Sequence, residues 1–269
     1  MWQNPLRSAA FLEALTDVYS GVQRYHLWGL LGYQDIKQRY RRSILGPFWL
    51  TMSTAIMVCS MGFLYALLFK MDVHKYLPYL TVGMIVWGFF STLISEGCTV
   101  FISSEAFIKQ IKLPLFAHVA RMIWKNFLIF MHNFVILIVV IWWGDVNIGW
   151  GTVISLFGML LALANGAWVS LLLGMISARY RDIPPVVNSL VQIVFFLTPI
   201  MWRADALGDR QWIAYMNPIY HVLECIRRPL LGEGVNISNF IVAGLLCLVG
   251  WVFTVLFYAR FSKRVPYWV

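Results

Sequence analysis

Six long runs of apolar residues, parted by short polar intervals, set the pattern of this chain: 45–69, 77–102, 116–143, 153–177, 186–202 and 240–258. A helix rises about 1.5 Å per residue, so about 20 apolar residues cross the roughly 30 Å of hydrocarbon in a bilayer. The pattern therefore predicts an all-α polytopic membrane protein with six transmembrane helices. The fifth run is the shortest and is bracketed by Pro184, Pro185 and Pro199, which predicts broken ends around a helical middle.

Three polar intervals carry patterns of their own. Before the first run, Val22, Tyr25, Trp28 and Ile36 fall on one helical face, with Arg24, Gln34 and Gln38 away from it. This predicts an amphipathic helix on the membrane surface. Between runs two and three, Ser103 and Ser104 offer caps, Glu105 occupies a first turn and Pro114 closes the segment. A short helix results, with Glu105, Lys109 and Lys112 on one face and Phe107, Ile108 and Ile111 on the other. Periodicity alone fits both a helix docking on a partner and a surface helix with snorkelling lysines.

Residues 203–237 are too apolar for a solvated loop and too interrupted for a span. Asn217 and Pro218 start a helix, as cap and first residue, whose stripe Ile219, Val222, Leu223 and Ile226 ends before Pro229. A shorter helix over 209–216, carrying Trp212 and Tyr215, completes a pair that either lids a pathway or anchors the fold at the interface.

Composition agrees with the pattern: of 269 residues, 60% are hydrophobic and only 12% charged, outside the range of a soluble domain. The net charge of +9 does not indicate nucleic-acid binding, because Lys and Arg stand at the ends of apolar runs instead of clustering on a water-facing element. Charge instead orients the spans. Fifteen of the 21 Lys and Arg residues fall on the side that holds both termini and six on the other, so both termini are expected in the cytoplasm. Three domains follow: a cytoplasmic segment over 1–43, the membrane domain over 44–260 and a cytoplasmic tail over 261–269. No removable signal peptide is recognised in 1–43, and the first span serves as the membrane signal. Cys59, Cys98 and Cys247 lie in apolar runs and Cys225 in a loop, a spacing that suits neither disulfides nor a metal.

Few residues carry overt chemistry. Glu96 is the one carboxylate well inside an apolar run, within reach of water or of Lys109 and Lys112, and an ion pair and a transport role both fit it. Arg121 and Lys125 open the third run as snorkelling cations, while His132, Asn133, Asn165 and Gln192 are suited to hydrogen bonds between helices. Aromatic residues reach 16%, and Phe63, Tyr65, Trp87, Phe89 and Phe90 fall mid-span, where rings could line a pathway for sugars or acyl chains as readily as pack a core. The sequence contains no G-x-x-x-x-G-K-[ST], H-E-x-x-H or G-x-S-x-G, and its five histidines are scattered. No resident cofactor, metal site or catalytic residue is therefore expected.

Four segments in order resemble the permease subunits of ABC-2 type exporters, in the polysaccharide-export branch of the O-antigen permeases. They are the stretch from Asp35 to Trp49, which includes Arg39, Arg41 and Arg42; Ser177 to Ile183; Phe195 to Ile200; and Asn217 to Tyr220 with Arg227 downstream. The resemblance covers nearly the whole chain. It implies a half-transporter that pairs with a second copy of itself and with two copies of a separate ATPase, which would hold ATP and Mg. It implies an interfacial helix near 20–40, an ATPase-coupling helix over Glu105, Phe107, Ile108, Lys109, Ile111 and Lys112, and re-entrant outer helices between spans five and six. Trp212, Tyr215, Asn217, Pro218, Tyr220 and Arg227 would form an outer gate. The cargo implied is a lipid-linked glycan crossing the bacterial cytoplasmic membrane, its carrier phosphate meeting Arg39, Arg41 and Arg42. Exporters of capsule, teichoic acid or drugs share these features, and an integral-membrane glycosyl- or acyltransferase would require a membrane-surface His or Asp pair that this sequence lacks.

Overall fold

The computed structural model describes residues 8–41, 46, 48–146 and 149–269. Among these residues helices α1 to α12 dominate and no strand forms. Five helices are long and apolar enough to cross a bilayer: α3 (Phe48–Leu68), α4 (Val73–Thr99), α6 (Leu115–Trp143), α7 (Trp150–Arg179) and α11 (Ile237–Phe261). Helix α4 is the centre of the bundle. In its apolar window 78% of residues are buried, against 22% in α3, so α3 turns most of its apolar surface outward.

The fifth apolar run departs from the expected span. It forms α8 (Ile183–Leu197), whose 15 residues reach only about 22 Å, and the chain then leaves helical geometry over 198–203. Irregular backbone within a bilayer needs other partners for its polar groups. Here they come from side chains. The Tyr76 hydroxyl donates to the Met201 carbonyl at 2.5 Å, and the Tyr79 hydroxyl reaches the Pro199 and Trp202 carbonyls at 3.2 and 3.1 Å. Asn217 donates to the Thr198 hydroxyl at 2.7 Å.

Residues 204–230 fold as broken pieces. The helix expected over 209–216 is instead a 3₁₀ segment, Ala204–Arg210, kinked where Gly208 takes φ +53°, and a single turn α9 (Trp212–Tyr215). Asn217 caps α10 (Pro218–Leu230) as expected, accepting from the Ile219 N–H at 3.0 Å, but the helix runs on through Pro229. Its expected one-face stripe is also superseded. Val222, Leu223 and Ile226 are buried, and so are Tyr220, His221, Glu224, Cys225 and Arg227, because α4, α7 and α11 surround the helix. Cys225 therefore belongs to a buried helix and not to a loop. The close approach to α7 depends on Gly158, where a side chain would collide with the Cys225 carbonyl.

The single surface helix expected near 20–40 is two helices, α1 (Ser8–Gln23) and α2 (Tyr25–Arg39), parted at Arg24. The predicted face divides between the two helices. Val22 and Tyr25 are exposed, while Gly32, Ile36 and Trp28 carry α2 against α6, Trp28 meeting Trp124 edge to face with ring centroids 5.9 Å apart. In α1, the Asp17 carboxylate accepts from the Tyr258 hydroxyl at 2.6 Å and from the Leu115 and Phe116 N–H groups at 3.3 and 3.2 Å. It thereby satisfies the exposed donors at the start of α6.

At the C-terminus the chain does not trail away. The last helix, α12 (Val265–Trp268), packs back near α5 (Glu105–Gln110) and α7, with the Arg179 guanidinium 5.4 Å from the Trp268 ring.

Candidate functional site

Two helices that each carry a pair of charges one turn apart face each other at the end of the bundle that holds α1, α2 and α5. Asp35 and Arg39 project from α2, and Arg121 and Lys125 from α6. Side chains at i and i+4 share a helical face, so both pairs can be engaged at once. Arg121 grips Asp35 through two hydrogen bonds, 2.7 Å from Nε and 2.5 Å from Nη2.

Glu96 of α4 completes the array, with partners other than those expected. Lys109 and Lys112 are not among its contacts. Its carboxylate takes Lys125 Nζ at 2.6 Å and Asn126 Nδ2 at 2.7 Å on one oxygen, and Arg39 Nη2 at 3.4 Å on the other. Asp35, Arg39, Glu96, Arg121 and Lys125 line a cavity of about 370 Å³ together with His118, which is buried and whose Nε2 has no hydrogen-bond partner. Three cations against two carboxylates leave the wall positive. A second cavity of about 280 Å³ also has Arg39 in its wall and adds Thr54, Thr92 and Asn133. Arg41 is exposed, and Arg42 lies outside the described residues.

The short helix α5 abuts this array. The Phe107 ring lies under the Arg121 guanidinium, 4.9 Å from centroid to carbon. A line of contact thus runs from Phe107 on α5 through Arg121 on α6 to Asp35 on α2. Glu105 and Lys109 pair on the exposed face at 2.6 Å, and the hydrogen bond and charge from Lys109 hold the Glu105 carboxyl below the usual range. The helix is shorter than predicted. It ends at Gln110, Ile111 is extended, and Lys112 lies beyond it, so neither of these last two shares its face. Neither serine caps it through its side chain, Ser103 donating back to the Val100 carbonyl.

At the opposite end the residues expected to form a gate divide. Trp212 and Tyr215 are exposed, whereas Tyr220 and Arg227 are buried. Arg227 is the largest fully buried side chain of the described residues. Its guanidinium donates to the Pro199 carbonyl at 2.7 Å, pairs with Glu224 and stacks over the Tyr79 ring. Burying a charge is costly unless it is paired and hydrogen-bonded, and here one arginine ties α10 to α4 and to the irregular 198–203 segment.

The mid-span aromatics also separate. Trp87, Phe89 and Phe90 are buried, with Phe89 against Phe130 at 4.8 Å and Trp87 against Phe195 at 5.7 Å, while Phe63 is exposed on α3 and Tyr65 stacks on Phe69. Of the candidate hydrogen-bonding residues, Asn165 joins helices, donating to the Ala243 carbonyl of α11 at 3.2 Å. His132 bonds within its own helix and Gln192 is exposed. Sequence reasoning missed Asp17, Asp35, Tyr76 and Tyr79. The spacing of Asp35 with Arg39, repeated by Arg121 with Lys125, is the one signal that could have pointed to the array. Among the described residues no group of His, Cys, Asp and Glu could hold a metal ion.

Comparison with known proteins agrees with this architecture. An O-antigen export system permease protein RfbA of Klebsiella pneumoniae is 21% identical over 242 residues, 86% of this chain and 88% of that protein. A second protein of that name from the same organism is 22% identical over the same shares. One from Myxococcus xanthus is 20% identical over 193 residues, 71% of this chain and 74% of that protein. The family described as ABC-2 type transporter matches residues 26–231, from α2 through the end of α10 and so across both charged clusters, and the chain belongs to that family.

Proposed function

We propose that this chain is the membrane-spanning subunit of an ATP-driven exporter that moves a lipid-linked, O-antigen-like polysaccharide across the bacterial cytoplasmic membrane. Both termini and α5 face the cytoplasm. The chain crosses six times, α8 and the irregular 198–203 segment together making the fifth crossing, and 204–230 re-enters from the outer side to form the gate. Energy comes from outside the chain, because its sequence holds no P-loop; ATP and Mg belong to an ATPase partner, two copies of which serve two copies of this subunit. The apolar outer surfaces of α3 and α8, the latter without a buried residue, supply surface for the second copy and for lipid.

The observation that carries this reading is the contact line from α5 to the Arg121–Asp35 and Glu96–Lys125 pairs. A push on α5 reaches α2, α4 and α6 through groups with fixed partners, as coupling from an external motor requires. Arg39 and Arg41 stand at the same end, where charge-assisted hydrogen bonds to an anionic lipid phosphate favour cargo loading. The cargo class is inferred from the names of the relatives. Deleting the gene and assaying surface glycan tests the reading directly: glycan should accumulate inside the cell, and a wild-type surface coat in the deletion strain would refute it. Lys109→Glu with Lys112→Glu should leave ATPase activity while abolishing export, and unchanged export would remove α5 from the coupling role.

A further inference from the structure

The kinked segment 204–210, the turn α9 and the flank of α10 border an open polar cavity of about 230 Å³. Its wall includes Arg203, Gln211, Tyr215, Tyr220, Arg228 and Glu233. We infer that this cavity is a carbohydrate subsite, taking one pyranose ring of the glycan as it emerges on the outer side.

Three features select a sugar. The wall is strongly polar yet close to balanced in charge, with Arg203 and Arg228 set against Asp205, Glu224 and Glu233. An anion would meet three carboxylates there. A metal ion is disfavoured by the arginines, and among the described residues no metal-type cluster forms. A neutral polyol is suited to such a wall, since its hydroxyls both donate to carboxylates and accept from guanidinium groups. The second feature is aromatic. Tyr215 and Tyr220 lie 5.7 Å apart at a tilt, and the half-exposed Tyr215 offers a ring edge and face to the C–H surface of a pyranose, with its hydroxyl held by Gln211 at 3.0 Å. The third is size. The space is small against the roughly 300–1,000 Å³ of drug-sized sites, which fits a single ring better than an extended chain.

The wall is also built to last. Arg203 bridges Glu233 at 3.1 Å and Asp205 at 3.6 Å, and its guanidinium covers the Tyr79 ring at 4.9 Å. Arg228 donates toward the Glu233 carbonyl at 3.5 Å, which holds its guanidinium in the wall.

The inference rests on the export reading above, but the two can fail separately. The full-length permease in lipid nanodiscs is probed by saturation-transfer NMR with mannose, galactose, N-acetylglucosamine and, as an anionic comparator, inorganic pyrophosphate. Transfer to at least one sugar is expected, with binding roughly tenfold weaker in Tyr215→Ala and in Arg228→Gln. Tyr267→Ala, at an exposed site on the other end, should bind as the parent does. Gln211→Ala, which removes the acceptor of the Tyr215 hydroxyl, carries the test if Arg228→Gln does not fold. Transfer to pyrophosphate alone, to no probe, or equally in parent and cavity variants overturns the subsite. None of these outcomes touches the export reading, which the deletion strain decides by itself.

Discussion

The guanidinium carbon of Arg227 lies 3.8 Å from the centroid of the Tyr79 ring, with Arg227 fully excluded from solvent. This stacking joins α10 to α4, the central helix of the bundle. The packing of α10 on α4 and on the irregular 198–203 segment therefore includes a buried ion pair, Arg227 with Glu224. Arg227→Ala leaves Glu224 unpaired in the interior and should cost about 3–5 kcal/mol. Arg227→Ala combined with Glu224→Ala should cost clearly less than the two single losses together, because neither charge is then orphaned. Thermal melts of the four proteins in detergent provide the cycle, and simple additivity would show that the pair is not coupled.

Gly158 sets how closely α10 can approach α7. A methyl group there must displace the Cys225 carbonyl, which belongs to rigid helical backbone, so Gly158→Ala should destabilise by about 1–3 kcal/mol. Gly244→Ala, with open space around its added carbon, should be close to neutral. Comparing the two melting temperatures separates the steric effect from the general effect of alanine on a helix.

Glu96 holds Lys125 from α6 and Arg39 from α2. Glu96→Gln keeps the shape and the Asn126 contact but removes the charge, and should reduce export while leaving insertion intact. Glu96→Lys with Lys125→Glu restores an opposite pair and should recover part of the activity. Export in the swapped protein no better than in Glu96→Lys alone would show that the arrangement, not the pairing, is what matters. Arg39→Ala is expected to lower export less than Glu96→Gln, since Arg39 is half exposed and its bond is the longest of the three.

Asp17 fastens α1 to the first turn of α6 and to Tyr258 of α11. Asp17→Ala removes a cap from outside the helix and should cost about 0.5–2 kcal/mol, as cap losses do. Hydrogen exchange should then rise at the Leu115 and Phe116 amides first. Unchanged protection at those two amides would mean that water replaces the carboxylate without loss.

Which parts of this were legible in the sequence follows from how far each signal reaches. The membrane-spanning runs were visible because hydropathy is summed along the chain and needs no partner. So was the start of α10, where Asn217 and Pro218 act on their own neighbours. The fifth run is helical in its middle and broken towards Pro199, as its prolines predict, but where the break falls is not legible, because apolar composition continues through 198–202 while helical geometry ends at Leu197. What holds that segment, Tyr76, Tyr79, Arg227 and Asn217, comes from other parts of the chain. The one-face stripe on α10 leaves out His221 and Arg227 for the same reason: their partners, Asn239, the Pro199 carbonyl and the Tyr79 ring, lie elsewhere in the chain.

The sequence by itself therefore determined the solvent this protein lives in, its helical class, the number of apolar runs and the absence of its own ATP-binding loop, since each follows from composition or from neighbours within a turn. Only the tertiary structure decided that Glu96 serves Lys125 and not Lys109, that α2 lies on α6, and that Arg227 is buried against Tyr79, Glu224 and the Pro199 carbonyl. Those outcomes depend on which faces of distant helices meet, and the energy of a buried charge is set by partners brought together from far along the chain.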